Sequence, residues 1–299
     1  KQHRAAVAME PIWAPAVRNL AQNLAGSGKA EEAERLVREY EARGGSPAQA
    51  ALSRSQTAWI LGDISEAVRQ TEIVLRLDRD IVTSSPVQPF LYHDLGFFDR
   101  AAELGRGDQR LHLFVSGRYE EVARRARAEG LWERASTYLS LDALASTRDW
   151  AAIEKLYDSH PKKVDICTHD GGPMIAIHIA TALKAQGRAG DARALIDCAK
   201  RRIAVQDGGP IYSAYYIPSW LAALKAQVLA LEGNGQAAFR EMNHAFRLGF
   251  YTPNSTGLTF HPSFDPYRSM PAYAALETAF KRRTATERAQ ALQHNPELR

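Results

Sequence analysis

Four side chains within one short stretch have the chemistry to hold a metal ion: His160, Cys167, His169 and His178. Neutral imidazole and thiolate are good zinc ligands. Their spacing, His160-x6-Cys167-x-His169, matches no common structural zinc motif, and His178 falls inside an apolar helical stretch. They read better as a polar loop followed by one helix-surface histidine, so no metal and no cofactor is expected. Further on, Tyr212, Tyr215, Tyr216 and Trp220 form a dense aromatic run. The three tyrosines share one helical face at i, i+3 and i+4. That spacing serves core packing between helices more readily than anchoring of a partner. Pro218 should split the stretch and leave Trp220 near a helix start.

Nucleophilic and acid–base chemistry lack a constellation. No nucleophile and base stand at usable spacing, and GxSxG, HExxH and a Walker lysine motif are absent. Cys198 shares a helix with Ala192, Leu195, Ile196 and Ala199 and reads as a small buried apolar residue. Two cysteines in 299 residues, without CxxC, are no disulfide framework and fit a reducing compartment. Glu31–Glu32 and Glu120–Glu121 fall in first helical turns, where carboxylates favour the positive end of the helix dipole. The string DGGP occurs at Asp170 and again at Asp207. No GK[ST] follows either copy, so both read as loop-to-helix junctions and not as phosphate loops. The chain is therefore not expected to be an enzyme.

The elements that carry these residues are helices in a repeating frame. A phrase recurs in which a helix breaker is followed by a new helix start with a small residue five places on. It reads GKAEEA from Gly28, GDISEA from Gly62, GRYEEV from Gly117, RDWAAI from Arg148, GRAGDA from Gly187 and GNGQAA from Gly233. Apolar residues flank each copy at helical spacing, such as Val17, Leu20, Ala21 and Leu24 before Gly28. Ala21, Ala180 and Ala226 lie seven residues before a turn glycine, and Ala33, Ala67, Ala192 and Ala238 lie five after one. Small side chains at these places let two helices approach closely. SSPVQP predicts an extended link, followed by one helix through PFLYHDLGFFDRAAEL with Leu91, Leu95, Phe98 and Ala102 on one side. Helices after Asp108 are expected to be two or three turns long.

Gly28 to Gly62 spans 34 residues. Together with the small packing positions, this spacing resembles the tetratricopeptide repeat. HPSFDPYRSMPAYAAL resembles the closing segment of such arrays in bacterial multidomain regulators, with Phe264, Pro266, Arg268, Pro271 and Tyr273 at matching places. The resemblance implies an all-α fold, a right-handed α-α superhelix of about six to seven helical hairpins with a Pro-rich C-terminal cap. Residues 1–83 would form the first repeats, 84–107 an irregular connection, 108–250 degenerate repeats and 251–299 the cap and tail, all in one continuous solenoid. Asp265 and Arg268 should pair in the cap. The polar end from Thr284 to Arg299 is expected to be a frayed helix or disordered. AAVAMEP matches the close of a repeat, so the chain is expected to begin inside an array that follows an upstream domain.

In that family the first helix of each hairpin lines a concave groove. The resemblance puts Arg18, Gln22, Gln56, Thr181, Lys184 and Gln227 in the lining, with Trp220 near the rim. A chaperone-tail clamp is not predicted, because Ser53 stands where its next amide belongs. The expected role is non-catalytic: protein or peptide interaction, or ligand sensing, within a larger bacterial regulatory protein. A scaffold for oligomeric assembly is the alternative, and a helical-repeat enzyme with an unrecognised site comes third. The partner would be a protein, a peptide or a small effector in the groove.

Composition sets outer limits. The chain is 45% hydrophobic and 24% charged, with net charge +4. Its charges are interspersed, so direct nucleic-acid binding is not indicated. No apolar run is long enough to span a bilayer. No basic stretch leads into an apolar segment at the start, so no signal peptide is expected. A cytoplasmic location follows, or a periplasmic one behind an upstream membrane segment.

Overall fold

The recurring phrase is a recurring conformation. Gly28, Gly62, Gly117, Gly187 and Gly233 all take left-handed φ, between 75° and 89°. Arg148, in the same place of its copy, has φ 57° and is the one non-glycine residue among the described residues to do so. At every copy the amide after the turn residue returns to a carbonyl four residues before it. Lys29 N bonds Leu24 O at 2.8 Å, and Asn234 N bonds Leu229 O at 2.9 Å. This is the Schellman ending, which needs one left-handed residue and satisfies carbonyls the helix leaves open.

The computed structural model describes residues 2–83, 87–129, 137–160, 166, 172–206, 217–251 and 261–299. Within them the secondary structure is helical, without strands. A short helix α1 (Gln2–Met9) precedes the hairpins α2 (Ala14–Gly26) with α3 (Ala30–Ala42), and α4 (Pro47–Leu61) with α5 (Ile64–Leu77). A single turn, α6 (Arg79–Thr83), leads to α7 (Gln88–Asp94) with α8 (Phe98–Leu104), and α9 (Gln109–Val115) with α10 (Tyr119–Glu129). The array continues with α11 (Thr137–Ser146) and α12 (Trp150–Ser159), α13 (Gly172–Ala185) and α14 (Ala189–Gln206), and α15 (Pro218–Leu231) and α16 (Gly235–Arg247). A 3-10 turn at Pro262–Tyr267 and the long helix α17 (Pro271–His294) close the chain. Seven hairpins thus stand among the described residues, and first helices meet the first helices of the next hairpin, as α2 meets α4 and α11 meets α13.

The packing explains the phrase. The residue five places after each turn is buried to 1% exposure or less: Ala33, Ala67, Val122, Ile153, Ala192 and Ala238. Ser55, seven before Gly62, donates its hydroxyl to Ala67 O at 2.9 Å, so the two small positions face each other across the hairpin. A seventh copy of the turn stands at Gly96. Gly96, with φ 76°, ends α7, and Ala101 five places on is fully buried. The single helix expected from Pro89 is therefore a hairpin, because Gly96 turns the chain where one helix would have run through. Phe98 is left 39% exposed, off the expected apolar side. Pro218 starts α15 and does place Trp220 in its first turn. Gly172 and Pro173 open α13, as the first DGGP junction predicts, whereas the second junction and Tyr212, Tyr215 and Tyr216 lie outside the described residues.

The array returns on itself. Ile217 and Trp220, at the start of the last hairpin, pack into the apolar cluster of α2, α3 and α4. Trp220 also touches the central cluster and the C-terminal one. Gly249, after α16, abuts the end of α4: a Cβ on Gly62 would stand 2.5 Å from the Gly249 Cα. The tail, expected to fray, is instead helical and docked. Tyr273, Leu276 and Phe280 bury the first turns of α17. Beyond them Arg283 donates to Gly62 O at 2.6 Å and to Phe246 O at 3.2 Å. Arg288 donates to Leu95 O at 2.5 Å and lies over the Phe97 ring. Glu287 accepts the Ser65 amide at 2.8 Å, at the start of α5. Helix ends leave carbonyls and amides open, and α17 fills several of them at once. The accessible surface is 13729 Å². A compact protein of this mass exposes roughly 12,500 Å², so closure leaves little surface beyond that minimum.

Candidate functional site

Buried polar side chains are distributed by helix type. Gln56 on α4, Asp94 on α7, Arg110 on α9, Asp142 on α11, His178 on α13 and Gln227 on α15 are all 8% exposed or less. Each is on the first helix of a hairpin. Among the described residues, second helices other than α5 bury no polar side chain. The cause is geometric. Second helices are amphipathic and turn their polar face to solvent, whereas first helices lie between neighbours and have less solvent-facing surface, so more of their polar residues point inward.

The residues expected in the groove fall along this inner face in different states. Gln22 and Gln56 meet, with the Gln22 amide donating to Gln56 Oε1. Arg18 is half-buried, and desolvation lowers its pKa. Thr181 is buried and its hydroxyl bonds Ile177 O at 2.8 Å within its own helix. Lys184 is exposed at the end of α13 and donates to Leu231 O. Gln227 is buried with its Oε1 unpartnered. Trp220 meets Phe250 edge-to-face at 5.3 Å. Gln22 and Gln56 are the pair the structure brings together.

The densest polar cluster forms around His178, one of the four residues with metal-ligand chemistry, in a setting the sequence did not predict. His178, expected on a helix surface, is 1% exposed. Its helix, GPMIAIHIATALKA, is apolar all round, the pattern of a buried helix, and that was the available signal. His178 Nε2 lies 2.8 Å from Asp142 Oδ1, within ion-pair reach but off hydrogen-bond geometry. Its ring stacks on His261 with centroids 5.0 Å apart. His261 Nδ1 lies 2.8 Å from Ser263 Oγ, and its Nε2 is buried without a partner. Burial first, then the charges of His178 and Arg148, hold the His261 pKa well below its ordinary value. A histidine that stays neutral is a weak base at neutral pH. Ser263 and His261 thus form a turn-stabilising bond more than a nucleophile and its activator.

Nearby, His93 on α7 bonds Val115 O at 2.9 Å and the Tyr119 hydroxyl at 2.9 Å. Burial brings the His93 pKa down to about 4. Burial, then the charges of Asp94 and Asp142, push the Tyr119 phenol up. Both carboxylates therefore act on one phenol, which joins α7, α10 and α11 in one polar interior. Comparison with protein-family models, with curated proteins and with solved structures finds no match for the chain. Its chemistry therefore has to be read from its own side chains.

The interior offers buried ring nitrogens, an amide oxygen and carboxylates, a set suited to hydrogen-bonding a polar guest. Among the described residues no three His, Cys, Asp or Glu side chains are placed to hold a metal ion. Of the four metal candidates, Cys167 and His169 lie outside the described residues, and His160 is half-buried at the end of α12. Cys198 corrects its expected role: it is half-buried and disulfide-bonded, not a free apolar filler. The chain has one other cysteine, Cys167.

The cap is tied to this interior by Arg148. Its guanidinium forks onto Asp265 through two bonds of 3.0 Å, and also donates to Ala145 O and Ser146 O at 3.1 Å. Asp265 pairs with Arg268 as well, at 2.7 Å, as the sequence predicts. A left-handed arginine costs about 1 kcal/mol relative to glycine. The fork of charge-assisted bonds, worth more than that, explains why a glycine position carries arginine.

Proposed function

We propose that the chain is a non-catalytic sensing module. Seven hairpins of the tetratricopeptide type form a right-handed superhelix, and its polar inner face takes a small polar effector or a short peptide end. The observation that carries this is the gathering of buried polar side chains on the first helices, with Nδ1 of His178, Nε2 of His261 and Oε1 of Gln227 left without a hydrogen-bond partner. Bare buried acceptors cost free energy unless a guest or water satisfies them. The docked α17 favours a small guest over a long peptide, because the helix ends it covers are closed to another chain. The cap string HPSFDPYRSMPAYAAL supports a place within a larger bacterial regulatory protein. Disulfide bonding at Cys198 favours an oxidising compartment over the cytoplasm.

The same α17 contacts favour a second reading, a scaffold whose inner face is occupied by its own tail. Native mass spectrometry of the purified chain separates the two. A sensing module carries a small-molecule adduct that denaturation releases and that Gln227→Leu weakens at least about tenfold, the loss of one buried hydrogen bond to a ligand. A bare mass, together with no thermal stabilisation by a broad set of polar metabolites, leaves the scaffold.

A further inference from the structure

His178 and His261 stack across a boundary. His178 belongs to α13, inside the array, and His261 opens the Pro262–Tyr267 turn of the cap. Both rings are 2% exposed or less, and their planes are 29° apart. Two neutral imidazoles stack well, but two imidazoliums 5.0 Å apart in a dry site repel strongly. The charged groups around them are unequal. Asp142 on α11 can compensate His178 alone. His261 faces Arg148, whose partner Asp265 is already shared with Arg268. Among the other charged side chains of the helices packed here, Lys184 of α13 is bonded to Leu231 O, and Lys225 is the one charged residue of α15. Among the described residues, no carboxylate of these elements is left to receive a proton-bearing His261.

We propose that the cap is an acid-released latch: proton uptake by the His178–His261 stack drives the Pro262–Tyr267 turn away from α11 and α13. At neutral pH His261 is neutral and the latch is shut. In the released state His261 is hydrated and takes a proton from solvent near its ordinary pKa of about 6.5. In the closed state it resists that proton. The closed form therefore loses ground as pH falls below about 6.5, up to tenfold per pH unit from His261. The latch shares its two rings with the proposed guest site, but its test needs no guest, so the two readings fail separately.

Hydrogen–deuterium exchange of the full chain, corrected for the intrinsic pH dependence of amide exchange, tests this. Between pH 7.5 and 5.0, amides of residues 261–276 should open about 30-fold more often from His261 alone. Amides of α4 and α5 should change little. His93 reports separately, because its bonds to Val115 and Tyr119 place its titration in α7–α10. His261→Phe should abolish the acid response of the cap. If phenylalanine disturbs folding, His261→Gln, which cannot titrate either, makes the same comparison. Imidazole NMR of the unaltered chain needs no variant. Cap exchange that is equal at the two pH values, or equally accelerated in the non-titrating variant, overturns the latch. So does a His261 ring that protonates near 6.5 while the cap amides stay protected.

Discussion

Gly62→Ala should destabilise this protein about three times as much as Gly28→Ala, although the two glycines have nearly the same φ, 81° and 77°. Each substitution forces an L-residue into left-handed backbone, which costs about 1 kcal/mol. At Gly28 the added methyl group meets nothing within 4 Å. At Gly62 it would lie 2.5 Å from the Gly249 Cα and carbonyl oxygen and 2.6 Å from Arg283 Nη2. Two of those atoms are backbone, so the neighbour cannot swing aside, and overpacking adds about 2 kcal/mol. Urea unfolding should therefore give losses of about 1 and about 3 kcal/mol. Equal losses would mean that the end of α16 does not rest on the end of α4. The prediction is sharp because the hairpin turns are the same and the difference comes from closure alone.

The second large effect lies at Arg100. Glu72 on α5 is 3% exposed, and it accepts from Arg100 Nη2 at 2.8 Å, Arg100 Nε at 3.1 Å and the Tyr92 hydroxyl at 2.8 Å. These bonds join α5, α7 and α8, the place where the hairpin read as a connecting segment meets the regular repeats. Arg100→Met keeps much of the side-chain volume but strands a buried carboxylate, which costs about 3–5 kcal/mol. Replacing both partners, Glu72→Leu with Arg100→Met, removes the stranded charge and should recover most of the loss. A double-mutant cycle by urea denaturation measures this. A single variant that loses less than about 1 kcal/mol would place the pair among ordinary surface ion pairs.

Much of the architecture was legible because it is written in local terms. A left-handed turn needs a particular backbone, and glycine with a small residue five places on announces it at Gly28, Gly62, Gly117, Gly187 and Gly233. Arg148 was legible by its place in the phrase. Its reason was not, since Asp265 lies 117 residues away. Gly96 and Ala101 carried the same signal as the other copies, but the prolines ahead of them and the continuous apolar spacing from Leu91 to Ala102 concealed it. Closure left no trace in the letters. The seat of α17 is made of the carbonyls of Gly62, Leu95 and Phe246 and the amide of Ser65, groups that every residue but proline possesses. A polar tail therefore looked frayed, when its arginines were reaching for backbone oxygens.

The inner site was legible in outline only. The family resemblance directed attention to the first helices, and the buried polar residues do stand on them. It could not say which would be left bare. His261 opens the cap string HPSFDPYRSMPAYAAL, and nothing local to it showed that His178, 83 positions earlier in the chain, would lie against its ring. Gln22 and Gln56, also from different hairpins, stand 34 positions apart, one repeat period, and the structure brings their side chains together.

Small-angle X-ray scattering of the chain at neutral pH tests the return of the last hairpin onto the second most directly. A closed array of 299 residues should have a radius of gyration of about 19 Å, the value for a compact chain of this length. An open superhelix with a detached tail would scatter as a particle of about 25 Å or more, well beyond that scaling, and would contradict the closure on which the buried inner face depends.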